Sequence, residues 1–157
     1  MLVPSIPQKP ALVVVADLIG SWRLESYTNT VEGAGAALPL GINPIGLLIY
    51  TPDGYMSAQL MSLDRSSPDV GDWNSKSQSD DVEESEDFIS YSGEYQFDEV
   101  TATVSHIPSV SFVTALIGHR LKRQVKLDGD RLTLTVTTPQ VGGNCVKSSL
   151  CWLKLHR

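Results

Sequence analysis

The residues best suited to chemistry are two tyrosines that share one face of a predicted strand with apolar side chains. Tyr91 and Tyr95 alternate in phase with Ile89 and Phe97, and this period of two is typical of a half-buried strand. A buried phenol needs a partner for its hydroxyl, so either tyrosine could orient a ligand carbonyl or act as an acid. Packing is the preferred interpretation for Tyr95, whereas both interpretations stay open for Tyr91.

A histidine and an arginine add a base and a cation to the same predicted interior. His106 is in phase with Val104, and the ordinary pKa of histidine lies close to neutrality, which suits a general base. A histidine held by hydrogen bonds in a core is the commoner case, so that alternative stays open. Arg123 is in phase with Leu121 and Val125, and a buried guanidinium must be paired or bind an anion.

The predicted inward arginine has two candidate roles. Arg123 could stack on Trp22 as a cation–π pair that closes the bottom of the fold, which is the first interpretation. It could instead hold a developing oxyanion on a ligand. Since a slip of one residue exchanges the two faces of a strand, Arg120 is the alternative residue for this role.

These considerations predict a site with three catalytic residues and a surrounding set of ligand-binding side chains. The predicted catalytic residues are Tyr91, His106 and Arg123. The predicted ligand-binding residues are Trp22, Tyr50, Gln59, Tyr95, Phe112 and Arg120. Gln59 shares its face with Ser57, but the other face of that strand, with Met56 and Ala58, is more apolar and competes for the core.

Strands joined by tight turns must position this site. The clearest is a hairpin over residues 45–61, whose turn Pro52-Asp53-Gly54 combines a preset proline φ with a glycine for the positive-φ position. Further alternating runs predict strands over residues 17–27, 89–98, 101–107, 117–127, 131–138 and 149–156. The resulting eight strands predict an all-β, closed antiparallel barrel with room inside for one small ligand.

Three segments depart from this alternation. Residues 1–16 are interpreted as a leader that caps the barrel, in preference to a signal peptide, because prolines crowd their start. Residues 62–88 predict an acidic loop or lid, with a short helix over 80–88 and with Trp73 docked on the barrel. Residues 28–43 and 141–149 are expected to be connections, and the whole chain of residues 1–157 to be a single domain.

Composition narrows the class of function. The 157 residues carry 12 Lys and Arg against 18 Asp and Glu, for a net charge of −6, which disfavours nucleic acid and anionic membranes as partners. The two cysteines favour a reduced cytoplasmic protein, although a disulfide between Cys145 and Cys151 stays open. No zinc-ligand spacing, nucleophile elbow, phosphate loop or dinucleotide fingerprint is present, so neither metal nor cofactor is expected. A homodimer is also left open.

Four motifs resemble a known family. GSWRL at residues 20–24 resembles the Gly-x-Trp signature of lipocalin-type barrels. GLLIYTPDGYMSA at 46–58, YSGEY at 91–95 and LDGDRLTL at 127–134 are similar to the lipocalin-like domain family of small bacterial and fungal proteins. The resemblance extends from residue 17 to the end of the chain, and the motifs occur in the family's order.

The resemblance implies a small up-and-down barrel with an internal cavity. Some fungal members act in natural-product pathways as cofactor-free cyclases or isomerases on polyketide or terpenoid intermediates. The leading hypothesis is therefore a cofactor-independent isomerase or cyclase of secondary metabolism that binds a hydrophobic intermediate, with Trp22, Tyr50 and Phe112 as walls. The alternatives are a non-catalytic carrier of a small molecule and an interaction module that uses its acidic segment.

Overall fold

The fold is known from a computed structural model, which describes residues 12–64 and 87–156. Within these residues nine strands form one antiparallel sheet. They are β1 (Gly20–Val31), β2 (Gly35–Ala37), β3 (Pro44–Tyr50), β4 (Tyr55–Ser62), β5 (Phe88–Asp98), β6 (Thr103–Ser111), β7 (Leu121–Asp128), β8 (Arg131–Pro139) and β9 (Cys145–Lys154). The helical elements are α1 (Val15–Leu18) and a 3₁₀ turn (Thr114–Leu116).

Eight of these strands close into a barrel. Each strand from β3 to β8 pairs with the next, β1 pairs with β3, and β9 pairs back with β1. This last ladder runs from Trp22 opposite Lys154 to Val31 opposite Val146. Closure leaves the ring without an unpaired edge. The all-β, lipocalin-like barrel predicted from the sequence is therefore confirmed.

The strand bounds differ from those that the sequence pattern indicated at three places. β1 continues to Val31 and turns back through β2, although residues 28–43 were expected to be a connection. β9 begins at Cys145, inside the expected loop over 141–149. Both extensions pair with each other along one ladder, so tertiary pairing overrides the weak strand preference of the local sequence. β7 is shorter than expected and begins at Leu121.

The two ends of the barrel differ. Helix α1 and the short β3–β4, β5–β6 and β7–β8 connections lie at one end, which we call the closed end. The last residue of β4, the first residue of β5, the β6–β7 connection and the β8–β9 turn lie at the other, which we call the open end. Near the closed end the interior is filled by large buried side chains that include Trp22, Leu132 and Trp152.

Trp22 holds the closed end together. Its indole N–H donates to the carbonyl of Leu18 in α1 over 2.9 Å, and the ammonium of Lys154 lies 4.8 Å from the ring centroid. The same ammonium donates to the carbonyl of Ile19 over 2.8 Å. The cation–π partner of Trp22 is therefore Lys154, and the expectation that Arg123 would take this place is wrong. The reason is register, since Lys154 lies directly opposite Trp22 on β9.

Part of the two irregular predicted segments lies outside the described residues. Residues 1–11 of the leader belong to that part, as do residues 65–86 of the acidic segment with Trp73 and most of the expected helix over 80–88. Of the leader, Val13 packs against the core, and the following Leu18 is fully buried. Phe88 begins β5 and does not end a helix. The domain bounds and the homodimer stay predictions.

One observation concerns membranes. Within residues 12–64 and 87–156, no helix combines the length and the apolar character that a bilayer-crossing helix requires.

A bulge between β5 and β6 controls which side chains enter the barrel. The ladder shifts register between Ser92 and Gly93, so that Gly93 lies opposite Pro108 and Ser92 opposite Val110. Ser109 is the extra residue. Beyond it the phase of β6 is inverted. A Cβ atom on Gly93 would lie 2.0 Å from the carbonyl oxygen of Ile107, so only glycine fits at this position.

We therefore expect Gly93→Ala to lower the free energy of unfolding by about 1–3 kcal/mol or more, because the backbone must move to admit the methyl group. Urea denaturation measures this change. Gly129→Asn is the matched control, since Gly129 has φ +59 with nothing within 4 Å of an added Cβ, and asparagine tolerates this conformation. Equal stability of the two variants would contradict the role assigned to the bulge.

Candidate functional site

The half of the barrel towards the open end contains a cavity of ≈ 250 Å³. Its apolar walls come from inward-facing residues of β3, β4, β8 and β9, namely Leu48, Ala58, Leu60, Leu134, Leu150 and Trp152. Its polar side chains are Tyr27, Tyr91, His106, Arg123 and Ser148. A mainly apolar cavity with a few polar groups is the usual form of a small-molecule site.

The central polar feature is a hydrogen-bonded chain of two tyrosines and one histidine. The Tyr50 hydroxyl lies 2.6 Å from Nε2 of His106, and the Tyr91 hydroxyl lies 2.9 Å from Nδ1 of the same ring. Tyr50 and His106 are almost completely buried. His106 and Tyr91 line the cavity, and Tyr50 does not. Alternation along β3, β5 and β6 places the three side chains inside, and both ring nitrogens of His106 thereby have partners.

Burial determines the charge state of His106. The side chain is 1% exposed, and desolvation lowers its pKa to about 3, with the positive charge of Arg123 acting in the same direction. The imidazole is therefore neutral at physiological pH. A neutral imidazole has one N–H donor and one acceptor nitrogen, so His106 acts here through hydrogen bonds and does not supply a positive charge.

The two tyrosines are also held in their neutral form. Burial raises the pKa of Tyr50 well above its usual value and also raises the pKa of Tyr91. The charge of Arg123 lowers both pKa values, but it does not outweigh burial. Both phenols consequently remain hydrogen-bond donors at any physiological pH.

Arg123 brings a positive charge to the same cavity. Its side chain is half-buried on the inner face of β7, as the phase of that strand predicted, and one guanidinium nitrogen donates to the carbonyl of Lys122 over 3.0 Å. No carboxylate of the described residues forms an ion pair with it. The guanidinium therefore keeps donors that can attract partial negative charge on a ligand.

Three of the predicted ligand-binding residues lie inside the barrel but behind the cavity. Tyr50 contacts the cavity only through His106. Tyr95 packs edge-on against Tyr50 at 4.8 Å between ring centroids, and its hydroxyl donates to the carbonyl of Thr51 over 2.8 Å. Trp22 belongs to the closed end. These three side chains support the site and do not line it.

The other three predicted ligand-binding residues lie outside the cavity. Gln59 is exposed on the outer face of β4, and Arg120 is an exposed residue whose guanidinium donates to the Gln96 side chain over 2.8 Å. Phe112 is 41% exposed and packs against Phe88 with 5.5 Å between ring centroids. The bulge at Ser109 explains why the Phe112 ring lies outside the barrel, since unbroken alternation from His106 would have turned this ring inward.

Tyr27 and Ser148 both line the cavity, although the sequence pattern did not indicate either residue. Tyr27 is turned inward by a second bulge, where the β1–β9 register shifts between Leu24 and Ser26 and inverts the phase set by Trp22. Ser148 lies in the segment expected to be a loop, and its hydroxyl donates to the Asn29 side chain over 2.7 Å. No signal in the sequence indicates the β1 bulge. Val146 and Ser148 are in phase with Leu150 and Trp152, and this period of two could have extended the predicted β9.

Two further features of the described residues concern metal ions and buried donors. No group of three His, Cys, Asp or Glu side chains among them could hold a metal ion. The Trp152 indole N–H is buried and finds no acceptor within residues 12–64 and 87–156. The Trp152 ring itself lines the cavity.

The low pKa of His106 makes stability depend on pH. The unfolded chain binds a proton on this ring near its ordinary pKa of 6.5, and the folded chain does so only near 3. The contribution of the neutral His106 to the free energy of unfolding is therefore fully present above about pH 6.5. It is lost progressively as the pH falls towards 3. We expect the wild-type protein to lose about 2 kcal/mol more than His106→Gln between about pH 7.5 and 5.

Urea denaturation at a series of pH values measures this difference. Burial keeps Tyr50 and Tyr91 neutral over this interval, and the other two histidines are common to both proteins, so the comparison isolates His106. Glutamine retains a donor and an acceptor in place of the ring. Parallel stability curves for the two proteins would contradict the assignment of a buried neutral imidazole.

The comparisons with known proteins agree with the barrel. A family model described as a lipocalin-like domain matches residues 19–155. No curated protein and no solved structure matches the chain. The matched residues include every strand of the closed ring and every residue that lines the cavity. The chain therefore belongs to the lipocalin-like domain family.

Proposed function

We propose that this protein binds a small, largely apolar molecule that carries an oxygen atom, inside the half of the barrel towards the open end. The observation that carries the proposal is the arrangement of the Tyr91 hydroxyl, the His106 ring and the Arg123 guanidinium on one otherwise apolar cavity. A lipocalin-like barrel is suited to binding small molecules, and these polar groups would orient the bound molecule.

The apolar walls supply the affinity and the polar groups supply the orientation. Burying the ligand against Leu60, Leu134 and Leu150 contributes about 25 cal/mol for each Å² of apolar surface removed from water. In this enclosed site a hydrogen bond from a tyrosine is stronger than one exposed to water. The cavity of ≈ 250 Å³ lies just below the usual range for drug-sized ligands, which favours a compact molecule.

A second candidate is the cofactor-free isomerase or cyclase that the family resemblance suggested. Tyr91 and Arg123 favour it, because a neutral donor and a cation beside one cavity can stabilise negative charge that develops on a carbonyl oxygen. The walls would hold the substrate in a reactive conformer. The substrate in this candidate is a hydrophobic polyketide- or terpenoid-type intermediate. A carrier would use the same cavity and release its ligand unchanged.

The proposal extends to location and partners. The cytoplasmic location expected from the sequence is retained, and the free thiols of Cys145 and Cys151 support it. The proposed partner is the small molecule itself, with no nucleic acid and no membrane, and the homodimer stays a prediction.

Filling the cavity tests the binding proposal. Ala58 is 2% exposed and lines the cavity, so Ala58→Leu places three more carbon atoms in the ligand's space. We expect this variant to bind acetophenone at least about tenfold more weakly than the wild-type protein, measured by calorimetry or ligand-observed NMR. Gln59→Leu adds apolar surface to the outer face of the same strand and serves as the matched control.

Unchanged acetophenone binding in a folded Ala58→Leu protein would overturn the proposed site. The same conclusion follows if the wild-type protein shows no binding of acetophenone at millimolar concentration, because the cavity would then not accept an apolar ketone.

Turnover distinguishes the catalytic candidate from the carrier. We expect the protein, incubated with a metabolite extract from a strain lacking its gene, to convert one compound into an isomer of unchanged mass, detected by liquid chromatography and mass spectrometry. Tyr91→Phe, His106→Ala and Arg123→Ala should each slow that conversion by about 10–1,000-fold. Recovery of a bound compound chemically unchanged would select the carrier, and full turnover by all three folded variants would remove these residues from the mechanism.

A further inference from the structure

The Tyr50–His106–Tyr91 chain contains one more hydrogen than its own hydrogen bonds use. The two phenols and the neutral imidazole together carry three polar hydrogens. The contacts of 2.6 Å at Nε2 and 2.9 Å at Nδ1 consume two of them. The third hydrogen must belong to the hydroxyl of one of the two tyrosines, and its position depends on which ring nitrogen carries the proton.

The Tyr50 hydroxyl has no acceptor for that third hydrogen among the described residues. It contacts no acceptor other than Nε2 within the described residues, the Tyr50 side chain is 1% exposed, and that side chain does not line the cavity. If Nε2 carried the proton, the Tyr50 oxygen would accept from it and the Tyr50 hydrogen would be buried without a partner. Buried donors without acceptors are rare because their desolvation is not compensated.

The opposite arrangement satisfies every group of the chain. Tyr50 donates to an unprotonated Nε2, the N–H at Nδ1 donates to the Tyr91 oxygen, and the Tyr91 hydroxyl keeps its own hydrogen for a new partner. Tyr91 lines the cavity, so that new partner can be a bound molecule. Accepting a hydrogen bond from His106 also polarises the Tyr91 hydroxyl and makes it a stronger donor.

We propose that Tyr50 is a positioning residue that holds His106 in its Nδ1–H form, so that Tyr91 presents a directed O–H donor to the oxygen of a small carbonyl compound in the cavity. The ligand class in this statement rests on the proposed function, whereas the protonated nitrogen is a property of the protein alone. The three residues come from β3, β6 and β5, so the direction of the chain is built into the barrel.

This direction selects among ligands. A carbonyl oxygen accepts the Tyr91 hydrogen bond, and Arg123 is placed to attract any negative charge on the same ligand. An alcohol can also accept but gains nothing from its own hydrogen at Tyr91, because the Tyr91 oxygen already accepts from His106. A hydrocarbon of the same shape satisfies the walls and leaves the Tyr91 donor unpaired, and a ketone is therefore preferred over its alkene isostere.

The tautomer is measured first, without any ligand. Long-range ¹H–¹⁵N correlation spectra of the ¹⁵N-labelled protein near pH 7 distinguish a protonated Nδ1 from a protonated Nε2, and His106→Gln identifies the signals of this ring. We expect Nδ1 to be the protonated nitrogen in the wild-type protein and in Tyr95→Phe. In Tyr50→Phe neither tautomer has a partner at Nε2, so we expect the Nδ1–H form to lose its advantage and both protonation states of the ring to be detected.

Binding is measured second, with acetophenone and its alkene isostere α-methylstyrene as probes. We expect Tyr50→Phe to weaken acetophenone binding by about two- to tenfold, because the Nδ1–H form that frees the Tyr91 donor is then populated only in part, and to leave α-methylstyrene binding unchanged. Tyr91→Phe, which removes the donor itself, should have the same effect and provides the test if Tyr50→Phe does not fold. Tyr95→Phe is the matched control, because Tyr95 contacts the Tyr50 ring but donates to Thr51.

The outcomes separate this inference from the proposed function. A wild-type ring protonated at Nε2, or equal losses for the two probes in Tyr50→Phe, overturns the positioning role even if both probes bind in the cavity. Failure of both probes to bind the wild-type protein, together with a protonated Nδ1, overturns the ligand class and the proposed function but leaves the tautomer assignment intact.

Discussion

Closure of the barrel by the β1–β9 ladder is the constraint on which everything else depends. The ladder joins residues near the two ends of the described chain, from Trp22 opposite Lys154 to Val31 opposite Val146. By pairing the last strand with the first it leaves the ring without sheet edges and encloses the barrel interior. That enclosure lowers the pKa of His106 and raises the pKa of Tyr50 and Tyr91.

One half of the barrel interior is filled by side chains, and the other half contains the cavity. Towards the closed end the barrel is filled by large side chains, with Trp22 bonded to Leu18 and covered by Lys154. Towards the open end, the inward-facing residues of the same strands surround a cavity. The Tyr50–His106–Tyr91 chain spans the boundary between the two parts, with Tyr50 in the packed region and Tyr91 at the cavity. In our proposal, the packing around Tyr50 sets the direction of the hydrogen bond that Tyr91 offers to a ligand.

The barrel could be predicted because its signals are local and repeated. Alternation of apolar and polar residues identified most strands, and turns such as Pro52-Asp53-Gly54 identified the hairpins. The same alternation placed Tyr91, His106 and Arg123 on inner faces, where the structure also has them. Inward direction along a regular strand is a consequence of backbone geometry alone, so these three positions did not require a knowledge of the neighbouring strands.

The remainder of the site depends on register, which the alternation of a single strand does not contain. Two bulges invert the phase of β1 and β6, bringing Tyr27 inward and turning Phe112 outward, and a cross-strand pairing gives Trp22 its cation in Lys154 rather than Arg123. Local pattern and turn chemistry thus specified an all-β barrel and three of its polar residues. The contacts between Tyr50, His106 and Tyr91 were decided only when the strands paired, because residues far apart in the chain become neighbours through ladders whose offsets depend on the packing of the whole barrel.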